Sequence, residues 1–399
     1  MNKLRKRPKI VVAMSGGVDS SVAAALLKKQ GFDVVGIMMK FWRSPELAEG
    51  KDGENRCCSV ESEKLARAVA KKIGIPFYVI NVEKEFKKKV VDYFFAEYKK
   101  GNTPNPCVVC NKEIKFGFLI KKALSLGADF VATGHYARIS LGDKLFSGRE
   151  VPLLPFGQVD PNLQKAYRLA VKSVLPRLFA GADKEKDQSY FLWQLSQDQL
   201  RRVLFPVGGY TKTEVRKLAK KFKLPTAETP ESQEVCFISQ TTSEFLKKYL
   251  KTKPGDICLT PGVNETSTPG VVGKHNGLWF YTIGQRRGLE IPQGPYYVVD
   301  KDFKKNILIV SKNKKDLLKK EFTIGDVNWI SDKKSKLPLK AKCKIRYKSQ
   351  LADALIRANK GGEVEVVFKK SQKAITPGQS AVFYKGEELL GGATIDKTS

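Results

Sequence analysis

A loop rich in glycine and serine follows the first apolar run of the chain and has the residue types of a phosphate-binding site. Residues 15–20 read Ser-Gly-Gly-Val-Asp-Ser, between an apolar run at 10–14 and a helical pattern at 21–29. Backbone N–H groups of a tight loop and of a helix N-terminus converge at such a place, and glycines let an anion approach them closely. The sequence therefore predicts that this loop binds a di- or triphosphate.

The carboxylate of Asp19 needs a separate explanation because it would repel a phosphate. We assign it to a Mg²⁺ ion that the phosphates hold. The loop lacks the Gly-Lys-Ser/Thr of a Walker loop and the Gly-x-Gly-x-x-Gly of a dinucleotide fold. It resembles instead the pyrophosphate loop (PP-loop) of enzymes that cleave ATP to AMP and pyrophosphate. A plain Gly-Ser turn is the alternative, and the strand before and helix after the loop favour the nucleotide.

A second group of reactive residues is a pair of cysteines at the spacing Cys-x-x-Cys. Cys107 and Cys110 follow two prolines and precede Asn111, which we expect to cap the next helix. The spacing alone fits half of a zinc site, a redox pair or part of an iron–sulfur site. A complete zinc site is disfavoured because the chain has no second such pair and only two histidines. Cys236, among apolar residues, is by itself typical of a buried structural thiol.

The charge balance is the next informative feature. The chain has 399 residues and a net charge of +31, from 72 Lys and Arg against 41 Asp and Glu. This excess favours a polyanionic partner, although a general drift toward lysine would give the same total. No apolar stretch approaches about 18 residues and the N-terminus runs directly into the first strand, so we expect no membrane segment and a cytoplasmic location. The seven cysteines should then be reduced.

Strand and helix patterns alternate through the first half of the sequence. Strand patterns lie at 10–14, 34–39, 77–82 and 130–133, and helix patterns lie at 21–29, 61–72, 86–99, 114–126 and 213–223. Strands that are joined by crossover helices pair in parallel, so this order predicts a doubly wound α/β sheet. The phosphate loop follows the first strand, where such folds bind ligands.

The second half has a different pattern. A short helix pattern lies at 244–250, and short alternating runs separated by Gly, Asn and Lys follow from residue 281. These runs predict antiparallel strands that form a small β-barrel. We therefore divide the chain into a catalytic domain at 1–240, a small central domain at 241–296 and a C-terminal β-barrel at 297–399.

Several strings occur in an order that resembles the tRNA-specific 2-thiouridylase (MnmA) family. They are SGGVDS, NTPNPCVVCNKEIKFG, ATGHYAR, KDQSYFLW, VCFI, YTIGQRRGL and ITPGQSAVFY followed by LGGATI, and they span nearly the whole chain. The resemblance implies a PP-loop catalytic domain, a central domain and a barrel that together grip the anticodon arm of a tRNA. It implies ATP-dependent 2-thiolation of the wobble uridine, by adenylation of O2 and sulfur attack at C2, with release of AMP and pyrophosphate.

The resemblance also assigns residues to sites. ATP contacts fall on Ala13, Met14, Ser15, Gly16, Gly17, Val18, Asp19, Ser20, Met39 and Gly134. The target base is bordered by Asn105, Pro106, Cys107, Lys186, Asp187 and Gln188. Contacts to the tRNA fall on His135, Arg346, Tyr347 and Gln379. Cys110 matches the family's nucleophile, and Cys236 matches the residue that carries a persulfide.

Two mechanisms of sulfur transfer stay open because residue 107 is Cys, where another version of the family has Asp. In one, Cys107, Cys110 and Cys236 hold three irons of a 4Fe–4S cluster and leave one iron open for hydrosulfide. In the other, Cys110 releases the outer sulfur of a Cys236 persulfide by forming a disulfide. Both imply a sulfur source, a cysteine desulfurase or a relay protein. No role is assigned to Cys57 and Cys58.

Two other functions share part of this pattern. A small-molecule synthetase that joins an amine to an adenylated acid would share the phosphate loop, but it would not need a basic barrel or the three thiols. A non-catalytic RNA-binding protein would explain the charge and the barrel, but it would not need Asp19 or reactive cysteines.

Overall fold

The computed structural model describes residues 7–44, 59–141, 175–230, 235–238, 241–260, 270–331 and 335–398. Cys57 and Cys58 lie outside these ranges, as do residues 147–174, to which the sequence analysis assigns no role. Within them, no helix combines the length and the apolar character needed to span a membrane.

A five-stranded parallel sheet forms the first domain, in the order β3-β2-β1-β4-β7. Its strands are β1 (Lys9–Ala13), β2 (Asp33–Lys40), β3 (Phe77–Asn81), β4 (Phe130–Ala132) and β7 (Val203–Leu204). The prediction of a parallel sheet is confirmed.

Helices cover both faces of this sheet. Val18–Lys29, Val60–Ile73 and Lys212–Lys221 lie on one face, and the helices at 83–99 and 106–125 lie on the other. Adjacent residues of β1 supply the two cores, because Val12 packs with the first group of helices and Val11 with the second. This alternation is expected of a strand buried on both sides, and it confirms the doubly wound arrangement.

The helix at 106–125, called the thiol helix below, differs from the prediction at its start. It begins at Pro106 with Asn105 as N-cap, and its middle part, Asn111–Phe118, is π-helical. Proline is favoured in the first turn of a helix, so the helix starts before the thiols. The prediction that Asn111 caps a following helix is therefore wrong, because Asn111 lies inside the helix. The helix at 83–99 has a π segment of its own at Lys87–Val91.

A four-stranded sheet follows the helix Thr242–Tyr249, in the order β10-β11-β8-β9. Its strands are β8 (Gly255–Leu259), β9 (Val271–His275), β10 (Tyr297–Asp302) and β11 (Ile307–Ser311). Because β11 pairs with β8, residues 297–311 belong to this middle sheet, whereas the sequence analysis placed them with the C-terminal strands. Alternating strands have the same period in both sheets, so the pattern does not reveal their pairing partners.

The C-terminal strands form a closed antiparallel barrel, as predicted. They are β12 (Leu318–Ile324), β14 (Leu339–Lys344), β15 (Ala352–Ala358), β16 (Val364–Lys373), β17 (Ser380–Lys385) and β18 (Glu388–Thr398), with the short β13 (Asn328–Trp329) beside β18. The barrel closes because β12 pairs with both β16 and β18. A hairpin from the first domain, β5 (Ala137–Leu141) and β6 (Pro176–Ala180), pairs with β18 and joins the two domains.

Candidate active site

The phosphate loop leaves the carboxyl end of β1 at the switch point of the sheet, where β1 has β2 on one side and β4 on the other. Gly16 has φ +78°, and a Cβ on it would lie 2.4 Å from the backbone oxygen of Ser62. Gly17 is the N-cap of the helix Val18–Lys29, and no side chain caps the helix there. The loop therefore presents backbone N–H groups in the arrangement that binds an anion.

Hydroxyl groups hold this loop in shape. Ser20 Oγ accepts a hydrogen bond from Ser15 N–H (3.2 Å) and donates one to Gly17 O (3.1 Å). Ser21 Oγ donates to the same carbonyl at 2.9 Å. Because these bonds are made within the protein, the loop is pre-organised before any nucleotide binds.

Two other strand ends border the loop. Gly134 follows β4, and a Cβ on it would lie 2.6 Å from Ser20 N and 3.0 Å from Asp19 Cβ. Met39 lies buried near the carboxyl end of β2. The residues assigned to ATP thus occupy the ends of three neighbouring strands.

Replacement of Gly134 by alanine is expected to weaken ATP binding at least about tenfold, because the new methyl group must push the loop out of shape and overpacking costs about 1–3 kcal/mol. Calorimetric titration with ATP measures this. Gly209→Ala is the matched control, since nothing lies within 4 Å of a Cβ at that position. Equal ATP affinities for both variants would contradict the close contact of Gly134 with the loop.

The carboxylate of Asp19 is held by two side chains from distant parts of the chain. Lys212 Nζ lies 2.7 and 2.8 Å from its two oxygens, and Tyr136 OH donates to Oδ1 at 2.7 Å. Lys212 is the first residue of the helix Lys212–Lys221, and only 11% of its side chain is exposed, against 30% for Asp19. Sequence analysis did not assign Lys212 or Tyr136 to the site, although Tyr136 lies within the string ATGHYAR.

A turn at 188–191 connects the phosphate loop to the thiol helix. Gln188 Oε1 accepts from Tyr136 N–H at 3.0 Å, and Gln188 N–H donates to Tyr136 O at 2.8 Å. At the other end of the turn, Phe191 O accepts from Asn111 Nδ2 at 3.0 Å. One short turn therefore touches both the residue that holds Asp19 and the residue that follows Cys110.

The three thiols differ in burial. Cys107 is half-buried in the first turn of the thiol helix, and Cys110, one turn later, is buried. Cys236 is half-buried in the segment 235–238, next to the buried ring of Phe237. That ring lies edge-on to the rings of Phe86, Phe94 and Phe245 at centroid distances of 5.8, 5.3 and 5.8 Å. The aromatic contacts anchor the segment that carries Cys236.

The π-helical part of the thiol helix is supported by specific residues. A Cβ on Gly117 would lie 2.8 Å from Lys112 O, so the close helical turn there requires glycine. Gln199 Nε2 donates to Lys112 O at 2.9 Å and to Phe116 O at 3.0 Å. Such segments occur frequently at functional sites, and this one begins directly after Cys110.

Most residues that the resemblance assigned to the tRNA or its base contact the protein itself here. The carboxylate of Asp187 is buried and accepts from Gly181 N–H (2.9 Å) and Ser189 N–H (3.0 Å). Arg346 donates to Ala374 O and to Thr376 Oγ1. Gln379 Nε2 donates to Thr103 O at 2.8 Å. The ring of Tyr347 packs against Phe191 with 4.6 Å between centroids.

His135 packs against the rings of Phe116 and Phe205 and is only 9% exposed. Its Nδ1 lies 2.7 Å from Thr133 Oγ1. Burial, reinforced by the positive charge of Lys115, holds the pKa of His135 well below its usual range, so the ring is neutral. In this structure His135 is an interior residue beside the turn that carries Gly134.

Family models cover nearly all of the chain. Residues 8–240 match the model described as a tRNA methyl transferase HUP domain. Residues 243–312 match its PRC-barrel domain, and residues 319–395 match an aminomethyltransferase beta-barrel domain.

The sheet, its anion-binding loop and these matches define a HUP-domain nucleotide-binding protein with two further β domains. The tRNA-specific 2-thiouridylase MnmA of Carboxydothermus hydrogenoformans is 43% identical over 98% of both chains. Those of Geobacillus thermodenitrificans and Clostridioides difficile are each 42% identical, over 100% and 98% of this chain and 97% and 98% of theirs. The chain belongs to the tRNA-specific 2-thiouridylase family.

Proposed function

We propose that this chain uses ATP to replace O2 of the wobble uridine of a tRNA with sulfur. The observation that carries the proposal is the turn at 188–191, which links the holder of Asp19 to the thiol helix. The phosphate loop and the thiol helix are thus held by the same turn. This arrangement suits a reaction in which ATP activates a base and a sulfur atom then attacks that same base. The similarity to 2-thiouridylases over the whole length supports the same reaction.

The first step joins the uridine to AMP. The O2 oxygen attacks the α-phosphorus of ATP, the N3 proton leaves and the bond to pyrophosphate breaks. We assign stabilisation of the charge on pyrophosphate to the N–H groups of the phosphate loop and to the ammonium of Lys212. The base has to leave its stack to reach the loop, which suits the single-stranded anticodon.

The carboxylate of Asp19 suits Mg²⁺, since it is partly exposed beside the phosphate loop. A bound Mg²⁺ ion would neutralise part of the negative charge on the phosphates. Lys212 contacts both oxygens of Asp19 in the free protein, and we place its ammonium on the phosphate oxygens in the nucleotide complex, which makes the Asp19 oxygens available to the ion. The residue then serves as counter-ion to Asp19 in the free protein and to the phosphates in the complex.

The second step exchanges oxygen for sulfur. The outer sulfur of a Cys236 persulfide attacks C2, and AMP leaves with the original O2. The thiolate of Cys110 then attacks the inner sulfur, which forms a Cys110–Cys236 disulfide and leaves the outer sulfur on C2 as 2-thiouridine. A dithiol reduces the disulfide, and a cysteine desulfurase or a relay protein reloads Cys236.

A 4Fe–4S cluster would need Cys107, Cys110 and Cys236 as three converging ligands. Across the described ranges, no group of three Cys, His, Asp or Glu side chains is arranged to hold a metal ion. The donor set in this conformation does not fit a cluster, so we derive no step through one. Cys107 is assigned with Asn105, Pro106, Lys186 and Gln188 to the border of the target base.

The net charge of +31 supports a polyanionic partner, the anticodon arm, and we place the reaction in the cytoplasm. In the tRNA complex we keep Arg346, Tyr347, Gln379 and His135 as candidate contacts, although His135 is an interior residue here and the other three side chains contact the protein itself. A tRNA that binds there has to compete with the internal hydrogen bonds of Arg346 and Gln379.

The proposal is tested with unmodified tRNA, Mg·ATP and, as the sulfur donor, a cysteine desulfurase with cysteine, in the absence of oxygen, on a mercury-containing gel. We expect ATP-dependent retardation of a tRNA with a wobble uridine and none of a tRNA with cytidine there. No retardation when the desulfurase and cysteine are present would overturn the proposal. Transfer of a methyl group to the tRNA, the activity named in the descriptions of two of the family models, would be the competing function.

A further inference from the structure

The loop at 101–105, which leads into the thiol helix, is held by both of the other domains. From the middle sheet, Lys301 Nζ donates to Gly101 O at 2.6 Å and to Tyr281 O at 3.0 Å. Lys301 belongs to β10, so a single ammonium ties the first domain to the middle one. Burial lowers the pKa of Lys301 to about 8, and the charge of Asp300 opposes this shift.

The barrel holds the same loop from the other side. Thr103 N–H donates to Pro377 O at 2.8 Å, and Gln379 Nε2 donates to Thr103 O at 2.8 Å. Gly378 lies against the loop, because a Cβ there would be 2.8 Å from Asn102 Cβ. The backbone N–H and C=O groups of Thr103 are therefore both hydrogen-bonded to a turn of the C-terminal domain.

Packing alone does not fix the loop. A cavity of about 350 Å³ lies beside it, lined by residues from all three domains that include Gly101, Asn102, Lys301 and Pro377. Gly101 has φ +89° and its Cβ position would coincide with the ring of Phe303, so the backbone touches the middle domain directly on one side. With open space nearby, the side-chain contacts of Lys301 and Gln379 add to the backbone bond of Thr103 and to the bond from Asn102 to Glu97 in holding the loop.

We infer that Lys301 and Gln379 are positioning residues that hold the loop at 101–105 and thereby set the orientation of Cys107 and the thiol helix. The two tRNA-binding domains therefore control the geometry of the thiols as well as the docking of the substrate. The effect of this positioning on catalysis rests on the function proposed above. A displacement of about 1 Å in a reacting group can cost about a hundredfold in rate.

Lys301→Met tests the inference in two independent measurements. The first is the rate at which iodoacetamide alkylates Cys107 in the protein without tRNA or ATP, read by peptide mass. Loosening the loop should expose this half-buried thiol and raise the rate several-fold. The second is thiolation, where kcat should fall at least about tenfold while the KM values for ATP and tRNA stay within about twofold.

Lys304→Met, an exposed lysine on the turn after β10, is the matched control and should behave as the wild type. Lys301→Arg keeps a donor for Gly101 O and should restore part of the kcat. Gln379→Leu removes the second contact with the loop and leaves the buried ammonium of Lys301 in place. This variant provides the alkylation test if Lys301→Met does not fold.

Wild-type alkylation rates in the folded variants would overturn the inference. Absence of tRNA thiolation in the wild type would overturn the proposed function and leave the alkylation test valid.

Discussion

Replacement of Cys110 or of Cys236 by serine is expected to abolish tRNA thiolation while ATP binding survives. A serine hydroxyl can neither carry a persulfide nor close a disulfide, so the loss should exceed about a thousandfold. Both residues lie outside the phosphate loop, and the affinity for ATP should therefore stay at the wild-type value. Thiolation is read on the mercury gel and ATP binding by calorimetry.

The control for general loss of a thiol is Cys258→Ala, because Cys258 is buried in β8 of the middle sheet. It should keep most of the activity. Full thiolation by either Cys110→Ser or Cys236→Ser would contradict the assignment of the sulfur-transfer residues.

Cys107→Asp separates the two accounts of sulfur transfer. The disulfide route needs only Cys110 and Cys236, so it tolerates this change. A cluster would lose one of three thiol ligands and would be weakened unless the carboxylate binds iron. The visible spectrum and the thiolation rate of this variant, both taken without oxygen, report the outcome.

Lys212→Met is expected to lower the rate of adenylation by about a hundredfold or more, the usual effect of removing one charged donor from a developing charge. It also leaves the Asp19 carboxylate without the ammonium at 2.7 Å. Release of pyrophosphate from ATP in the presence of tRNA measures the step. We expect the change in kcat, because the contact between the Lys212 ammonium and the phosphate oxygens strengthens as negative charge builds up on the departing pyrophosphate.

The matched control is Lys217→Met, an exposed residue on the same helix. It makes the same change in net charge as Lys212→Met and should leave the rate of pyrophosphate release unaltered. Adenylation at the wild-type rate by a folded Lys212→Met variant would remove Lys212 from the nucleotide site.

Local patterns predicted much of the fold. Strands β1 to β4 and the helices between them have strong apolar periods, and the observed bounds differ from the predicted ones by a few residues. The phosphate loop was recognisable because its glycines and serines are adjacent in the chain. The start of the thiol helix was missed because the N-cap was placed at Asn111, whereas the helix begins at Pro106, and proline at the first helical position favours a helix.

Long-range contacts explain what the sequence did not reveal about the site. Lys212 meets Asp19 across 193 positions of the chain, and Lys301 meets Gly101 across 200. Neither lysine differs in its local pattern from the many exposed lysines of this basic chain. The membership of 297–311 in the middle sheet was hidden for the same reason, because strand pairing is decided by tertiary contacts.

The central claim, that O2 leaves as part of AMP when sulfur enters, is tested most directly with ¹⁸O. A tRNA that carries ¹⁸O at O2 of the wobble uridine is thiolated with ATP, and the AMP formed is weighed by mass spectrometry. We expect each 2-thiouridine on the mercury gel to be matched by one AMP that contains ¹⁸O. Retarded tRNA together with unlabelled AMP would contradict adenylation of O2.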